Sequence, residues 1–152
     1  MWLATVTTSG TPHVAPVWFV WHRPGLYFNT APSTRKHQNL QAVSRVVAHL
    51  GDGDDVMIVH GHAVVVTEPV ELRAIDARYR AKYVDPYSGQ PIGFTAHDPD
   101  APTERPMVLR PPVEQIPYRV TVERIIVWQY GDVATRTEFV PTPDGSWHTR
   151  PR

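Results

Sequence analysis

The sequence predicts a closed antiparallel β-barrel with two short helices. Short runs of β-branched and aromatic residues recur along the chain, turn signals rich in Gly and Asp separate them, and only two stretches carry helical periodicity. No internal repeat is present. At 152 residues the chain reads as one domain, 1–141, with an extended Pro-rich tail at 142–152.

Trp2 to Thr8 is rich in strand formers and ends at the Ser9-Gly10 turn. His13 to Trp21 follows as one strand, with His13, Ala15, Val17, Phe19 and Trp21 on one face and Val14, Pro16, Trp18 and Val20 on the other. Both faces are apolar, so cover is expected on both sides. Pro16 removes a ladder donor and points to an edge or a bulge. Arg23-Pro-Gly25 turns the chain into the short strand Leu26 to Thr30. Val46 to Leu50 and Val56 to Thr67 read as a hairpin around Gly51-Asp-Gly-Asp54. Gly61 inside the second strand predicts a bulge or the close approach of a ligand. Leu72, Ile75, Tyr79 and Tyr83 fall at helical spacing, giving an amphipathic helix over about 70–84 that Pro86 ends. Residues 85–117 hold eight prolines without a period and read as an irregular insertion or lid. Tyr118 to Tyr130 restores strand composition, Gly131-Asp132 turns, and Ala134 to Val140 is a last extended piece. The tail beyond Pro141 is expected to be poorly ordered unless a partner holds it.

Charge and composition narrow the function. Fifteen basic and fifteen acidic side chains cancel, which argues against a broad nucleic-acid or membrane footprint. No apolar run has membrane-spanning length, and Met1-Trp-Leu passes straight into strand-like sequence without a signal peptide. Cysteine is absent, so disulfide and thiolate chemistry are excluded. The expectation is a soluble cytoplasmic domain with a small-molecule substrate, no nucleic acid and no membrane.

The stretch with the most chemistry is Thr30-Ala-Pro-Ser-Thr-Arg-Lys-His-Gln-Asn-Leu40, where a strand hands over to a short helix. Ser33 or Thr34 is a suitable N-cap, and Leu40 and Val43 share a helical face. Arg35 and Lys36 then place two cations in the first turn, where the helix dipole disfavours them by a few tenths of a kcal/mol each. An anion reconciles the pattern: free amides, hydroxyls, a guanidinium and an ammonium make a phosphate cradle. A solvated, frayed helix start is the alternative reading of the same residues.

Five segments in order resemble the split-barrel flavin and deazaflavin oxidoreductases, typified by pyridoxamine 5′-phosphate oxidase. They are Leu3 to Phe19, Leu26 to Thr30 with Ser33 to Leu40, Asp55 to Gly61, Ala77 to Tyr83, and Glu123 to Tyr130 running on to Thr137. The resemblance implies a mainly β fold, the FMN-binding split barrel with two short helices. It implies a cofactor phosphate on Thr30, Thr34, Arg35 and Lys36, a cofactor ring along Pro16, Val17 and Trp18, and Asn29 and Ser33 among the cofactor-binding residues. It also implies a homodimer with the site between subunits, Trp128 and Arg136 approaching the partner's cofactor. The spacing from Trp128 to Arg136 differs from the oxidase's closing segment. No pyridoxal-phosphate-specific basic set is present, and the helix that usually precedes the first strand is missing from this sequence.

The subgroup it resembles through Pro16-Val-Trp-Phe19 and Ser33 to Leu40 includes many proteins that use coenzyme F420, with FMN the competing cofactor. The function expected is oxidoreduction: hydride transfer from reduced F420 to a small conjugated electrophile, enone- or quinone-like. The alternatives are an FMN-dependent oxidase-like enzyme and a non-catalytic carrier of cofactor or haem. Hydride transfer is mainly placement and shielding from water, and no catalytic acid–base pair stands out; water, His13 and Tyr130 are the candidate proton donors. His60-x-His62 has metal-like spacing but lacks a third ligand, and no metal is expected; His60, His62 and His97 are the candidates for haem. Asp98, Asp100 and Glu104 show no paired-carboxylate spacing. Trp18, Trp21 and Trp128 fit core and interface as well as a stacking platform, and Arg78, Arg80 and Lys82 fit the solvated face of the second helix.

Overall fold

The computed structural model describes residues 1–22, 25–93, 115–129 and 136–150. Within them the chain runs β1 (Trp2–Val6), β2 (Pro12–Pro16), β3 (Phe19–His22), β4 (Gly25–Thr30), α1 (Arg35–Ala42), β5 (Arg45–Gly51), β6 (Asp55–Val65), α2 (Pro69–Lys82), β7 (Ile116–Gln129), β8 (Thr137–Pro141) and β9 (Trp147–Arg150). Each strand pairing is antiparallel, in the order β2-β1-β5-β6-β7-β4-β3, with β8 on β7 and β9 on β8. β2 and β3 stand at the two ends of that path yet are joined by only Val17 and Trp18. The sheet therefore curls back on itself and leaves a seam without a ladder between them, a split barrel.

Alternation along the strands creates two apolar layers. Leu3, Leu26, Phe28, Ala48, Val59, Tyr118 and Val120 point inward with Leu40 of α1 among them. Tyr27 and Val20 point outward and are covered by Ile75 and Tyr79 of α2. β4 is thus buried on both faces, the inner one by the barrel and the outer one by α2. The outer face around β1 and β2 has no such cover: Trp2 is 52% exposed and Val14 is 55% exposed.

The long strand expected over 13–21 is two strands. Val17 donates its N–H to the Met1 carbonyl at 2.9 Å, and the chain crosses the seam there. Val17 and Val20 both become buried while Trp18 and Trp21 face out, so the simple alternation expected for this segment fails. Pro16 does lie on an edge, at the end of β2 opposite Trp2. Gly61 marks a register shift between β6 and β7, where a Cβ would run into the Thr121 carbonyl.

The tail is also corrected. Trp147–Arg150 form β9, paired with β8, because Pro143-Asp-Gly145 is itself a turn. Asp144 accepts the Ser146 N–H at 3.0 Å and the Thr142 hydroxyl, Gly145 takes φ of 79°, and Trp147 packs on the inner core. β7 begins at Ile116, so Ile116 and Pro117 belong to the sheet rather than to the insertion. Of that insertion, 94–114 lies outside the described residues, with His97, Asp98, Asp100 and Glu104; so do Tyr130 and the Gly131-Asp132 turn. Among the described residues no helix is long and apolar enough to cross a membrane.

Candidate functional site

The corner between β4 and α1 is built from short-range chemistry. Thr34, not Ser33, is the N-cap, its Oγ1 accepting the His37 N–H at 3.3 Å. That hydroxyl donates to the Ala31 carbonyl at 2.9 Å, so its contact with Thr30 Oγ1 at 2.7 Å uses the Thr30 proton. Both threonine hydrogens are therefore spent inside the corner, and Thr30 is buried. The donors left for a ligand are the exposed Ser33 hydroxyl, the Arg35 and Lys36 side chains, and the amides of Arg35 and Lys36, since the His37 amide is spent on Thr34.

No acidic residue lies in the first turn of α1, and Arg35 and Lys36 make no ion pair among the described residues. Arg35 is exposed, whereas Lys36 is half-buried, and burial pulls its pKa below the ordinary lysine value. A half-buried ammonium without a counter-charge at a positive helix end is a position an anion would relieve. Leu40 rather than Val43 anchors the helix in the core; Val43 is the C-cap, its N–H on the Asn39 carbonyl. Asn39, buried, donates to Thr5 Oγ1 at 2.9 Å, and the Tyr118 hydroxyl receives Gln41 Nε2 at 3.1 Å and contacts His37 Nδ1 at 3.1 Å. These contacts fix the orientation of the cradle. Nothing in the sequence pattern singled out Gln41, His37 or Tyr118 for that task.

The Pro16–Trp18 segment expected to carry the ring leads into β3. Phe19–Phe28 is the last pair of the β3–β4 ladder, and Val17 and Trp18 precede it, while on β4 Asn29 is half-buried and Thr30 buried. Trp18, 47% exposed, stacks on Tyr83 with centroids 5.0 Å apart and planes 9° apart. The Tyr83 hydroxyl accepts the Phe19 N–H and donates to the Phe19 carbonyl, both at 2.9 Å. Lys82 is not simply a solvated helix residue: its ammonium donates to the same carbonyl at 2.9 Å and sits 3.5 Å from the Phe19 ring centroid. A shallow groove of about 250 Å³ continues from there, lined by Val20, Trp21, Arg78, Ala81 and Lys82.

Trp128 and Arg136 are not brought to this corner within one protomer. Thr30 pairs with Ile116 at one end of β7, whereas Trp128 pairs with Val56 at the other. At about 3.3 Å per residue these ends are about 40 Å apart along the strand. Trp128 instead lines a cleft of about 520 Å³ with Leu50, Val56, Met57 and Val127. Arg136 is exposed just before β8.

The histidines have ordinary occupations. His62 lies between Ser44 Oγ at 3.1 Å and Glu123 at 2.8 Å. Burial and then Arg124 lower the pKa of His60. No group of three or more potential metal ligands occurs among the described residues. His13 contacts the Thr5 hydroxyl at 3.5 Å on the edge of the sheet.

Residues 1–111 match the family model described as pyridoxamine 5′-phosphate oxidase, and the chain belongs to that family. No curated protein matches the sequence. Among solved structures, a pyridoxamine 5′-phosphate oxidase-related, FMN-binding protein from Nostoc punctiforme is 15% identical with a TM-score of 0.62, covering 98% of this chain and 84% of that one. A protein described as an F420 reductase is 22% identical with a TM-score of 0.52, covering 82% of this chain and 86% of that one. HutZ, the haem storage protein of Vibrio cholerae, is 17% identical with a TM-score of 0.55, covering 80% of each chain. All three share the split-barrel fold with this chain.

Proposed function

We propose that the protein is an oxidoreductase that transfers a hydride from reduced coenzyme F420 to a small conjugated electrophile, enone- or quinone-like, and that it works as a homodimer. The observation that carries the reading is the α1 corner: a capped helix start with two cations, a half-buried Lys36 and no carboxylate. When bound, the deazaflavin supplies the hydride. Arg35, Lys36 and Ser33, with the amides of Arg35 and Lys36, hold its phosphate, while Thr30 and Thr34 shape the corner that presents them. Pro16, Val17 and Trp18 offer the strand for its ring, with the Trp18–Tyr83 stack shielding that strand from water. Trp128 and Arg136, remote from the corner of their own protomer, belong in this reading to the partner's site. The uncovered face bearing Trp2 and Val14 suits a second copy.

FMN is the second reading, supported by family membership and by the FMN-binding relative. Both cofactors carry a phosphate that the same corner fits. Carriage of haem, as in the Vibrio cholerae relative, is the third. Titration with F420, FMN and haemin, followed by absorption spectra, separates them: tight F420 binding and oxidation of reduced F420 by enone acceptors is the expected result. Retention of FMN alone overturns the cofactor choice, and binding of haem alone overturns oxidoreduction. Sedimentation should give twice the 17.2 kDa mass of the chain, and a monomer overturns the shared site.

A further inference from the structure

We propose that the groove between β3 and α2 seats the hydride acceptor, and that the acceptor is a planar conjugated anion, a carboxylate in the simplest case. The inference rests on the oxidoreductase reading for the word acceptor, but the groove's preference for an anion stands on its own geometry. Its wall is the indole of Trp21, 38% exposed, and its floor is Val20, 3% exposed. Arg78 and Lys82 are one helical turn apart on the same face of α2, and among the described residues no acidic side chain lines the groove. Two nearby arginines are already paired, and exposed Arg73, earlier on α2, lies outside the groove lining. Arg80 is neutralised by Asp76 at 2.7 Å and Arg119 by Glu71 at 2.7 Å, whereas Arg78 makes no ion pair among the described residues. Two like charges at this spacing disfavour the helix slightly, and an anion between them removes the conflict.

The groove also has the right neighbour. Lys82 spends one of its three N–H donors on the Phe19 carbonyl, the residue that follows the Pro16–Trp18 ring segment. Its other two are free to meet a carboxylate whose conjugated body lies on Trp21 and reaches toward that segment. Guanidinium and ammonium supply the charge-assisted contacts, and the indole selects for a flat ligand. A neutral enone of the same shape would keep the stacking and lose the charge.

Calorimetric titration of the cofactor-free protein with trans-cinnamate, against its neutral amide, tests this without turnover. Cinnamate should bind at least tenfold more tightly than cinnamamide, and its affinity should fall as salt is raised. Arg78→Gln should weaken cinnamate at least tenfold and leave cinnamamide unchanged; Arg80→Gln should change neither. Trp21→Leu should weaken both ligands, giving a second route if Arg78→Gln folds poorly. Equal binding of acid and amide, no binding of either, or indifference to Arg78 overturns the proposal. F420 and FMN titrations of the same variants separate the two ideas. Cofactor binding without cinnamate binding removes the groove alone, and Arg78-dependent cinnamate binding without any cofactor removes the oxidoreductase.

Discussion

Tyr83 closes the backbone of Phe19 from both sides, its single hydroxyl accepting the N–H and donating to the carbonyl at 2.9 Å each. A strand residue at the mouth of the seam is thereby satisfied by the C-terminal end of α2 instead of by a neighbouring strand. Tyr83→Phe keeps the stack on Trp18 and leaves two half-buried backbone groups without that partner. The expected cost is about 1–2 kcal/mol of stability, read by urea denaturation, with faster amide exchange at Phe19. An unchanged midpoint and unchanged exchange would show that the phenol is not what fixes this peptide.

The α1 cradle gives a prediction of opposite sign for stability and for affinity. Arg35→Ala or Lys36→Ala should weaken binding of F420 or FMN by about 1.5–3 kcal/mol, as expected for a lost charge-assisted contact. The cofactor-free protein should be as stable as before or slightly more so, since a cation leaves a positive helix end. For Lys36 the gain adds relief of a half-buried charge whose pKa burial has lowered. If both variants bind both cofactors like the parent, the corner is not the phosphate site.

Alkaline pH should loosen α2 from the barrel. Tyr27 donates to Glu71 at 2.6 Å, and Arg119 pairs with the same oxygen at 2.7 Å. Burial, then the bond to Glu71, raises the Tyr27 pKa to about 12. Because the folded value lies above the ordinary value of about 10, the contribution is fully present below pH 10 and lost as pH climbs through 12. Stability measured across that window should fall, and Tyr27→Phe should flatten the fall. For Glu71, burial alone would raise the pKa, but the bonds from Tyr27 and Arg119 hold it below the ordinary value. Its contribution is present above the unfolded carboxylate range and lost as pH drops through the folded one. Glu71→Gln should blunt that acid limb.

Gly61→Ala should destabilise by about 1–3 kcal/mol, the range for forcing extra volume into a packed position. The added carbon meets the Thr121 carbonyl, which belongs to the backbone of β7 and cannot swing aside. Chemical denaturation checks it, and a neutral result would mean that the bulge can slide along β7.

Much of the barrel was legible because strand composition and turn residues are local signals. Gly61 as a bulge, Pro16 as an edge residue and Ile75 and Tyr79 as the buried stripe of α2 all follow from patterns a few residues long. The split of 13–21 was not legible, since periodicity says nothing of a backbone bond from Val17 to Met1 or of a tyrosine 64 residues away. β9 is hidden for a different reason: the proline density of the tail argues for disorder and masks the turn signal of Pro143-Asp-Gly145. At the corner, the cations were visible in the sequence, but the spending of both threonine protons on each other and on Ala31 required the fold.

β7 is the spine that β6 and β4 both clasp, yet the chain leaves β6 at Val65 and returns only at Ile116. Closing a contact over such a sequence distance is slow, yet its entropic cost grows only logarithmically with length, by about 0.6 kcal/mol per doubling. Added length between α2 and β7 therefore carries little thermodynamic risk, and new specificities have a natural place to arise there while the α1 corner stays as it is.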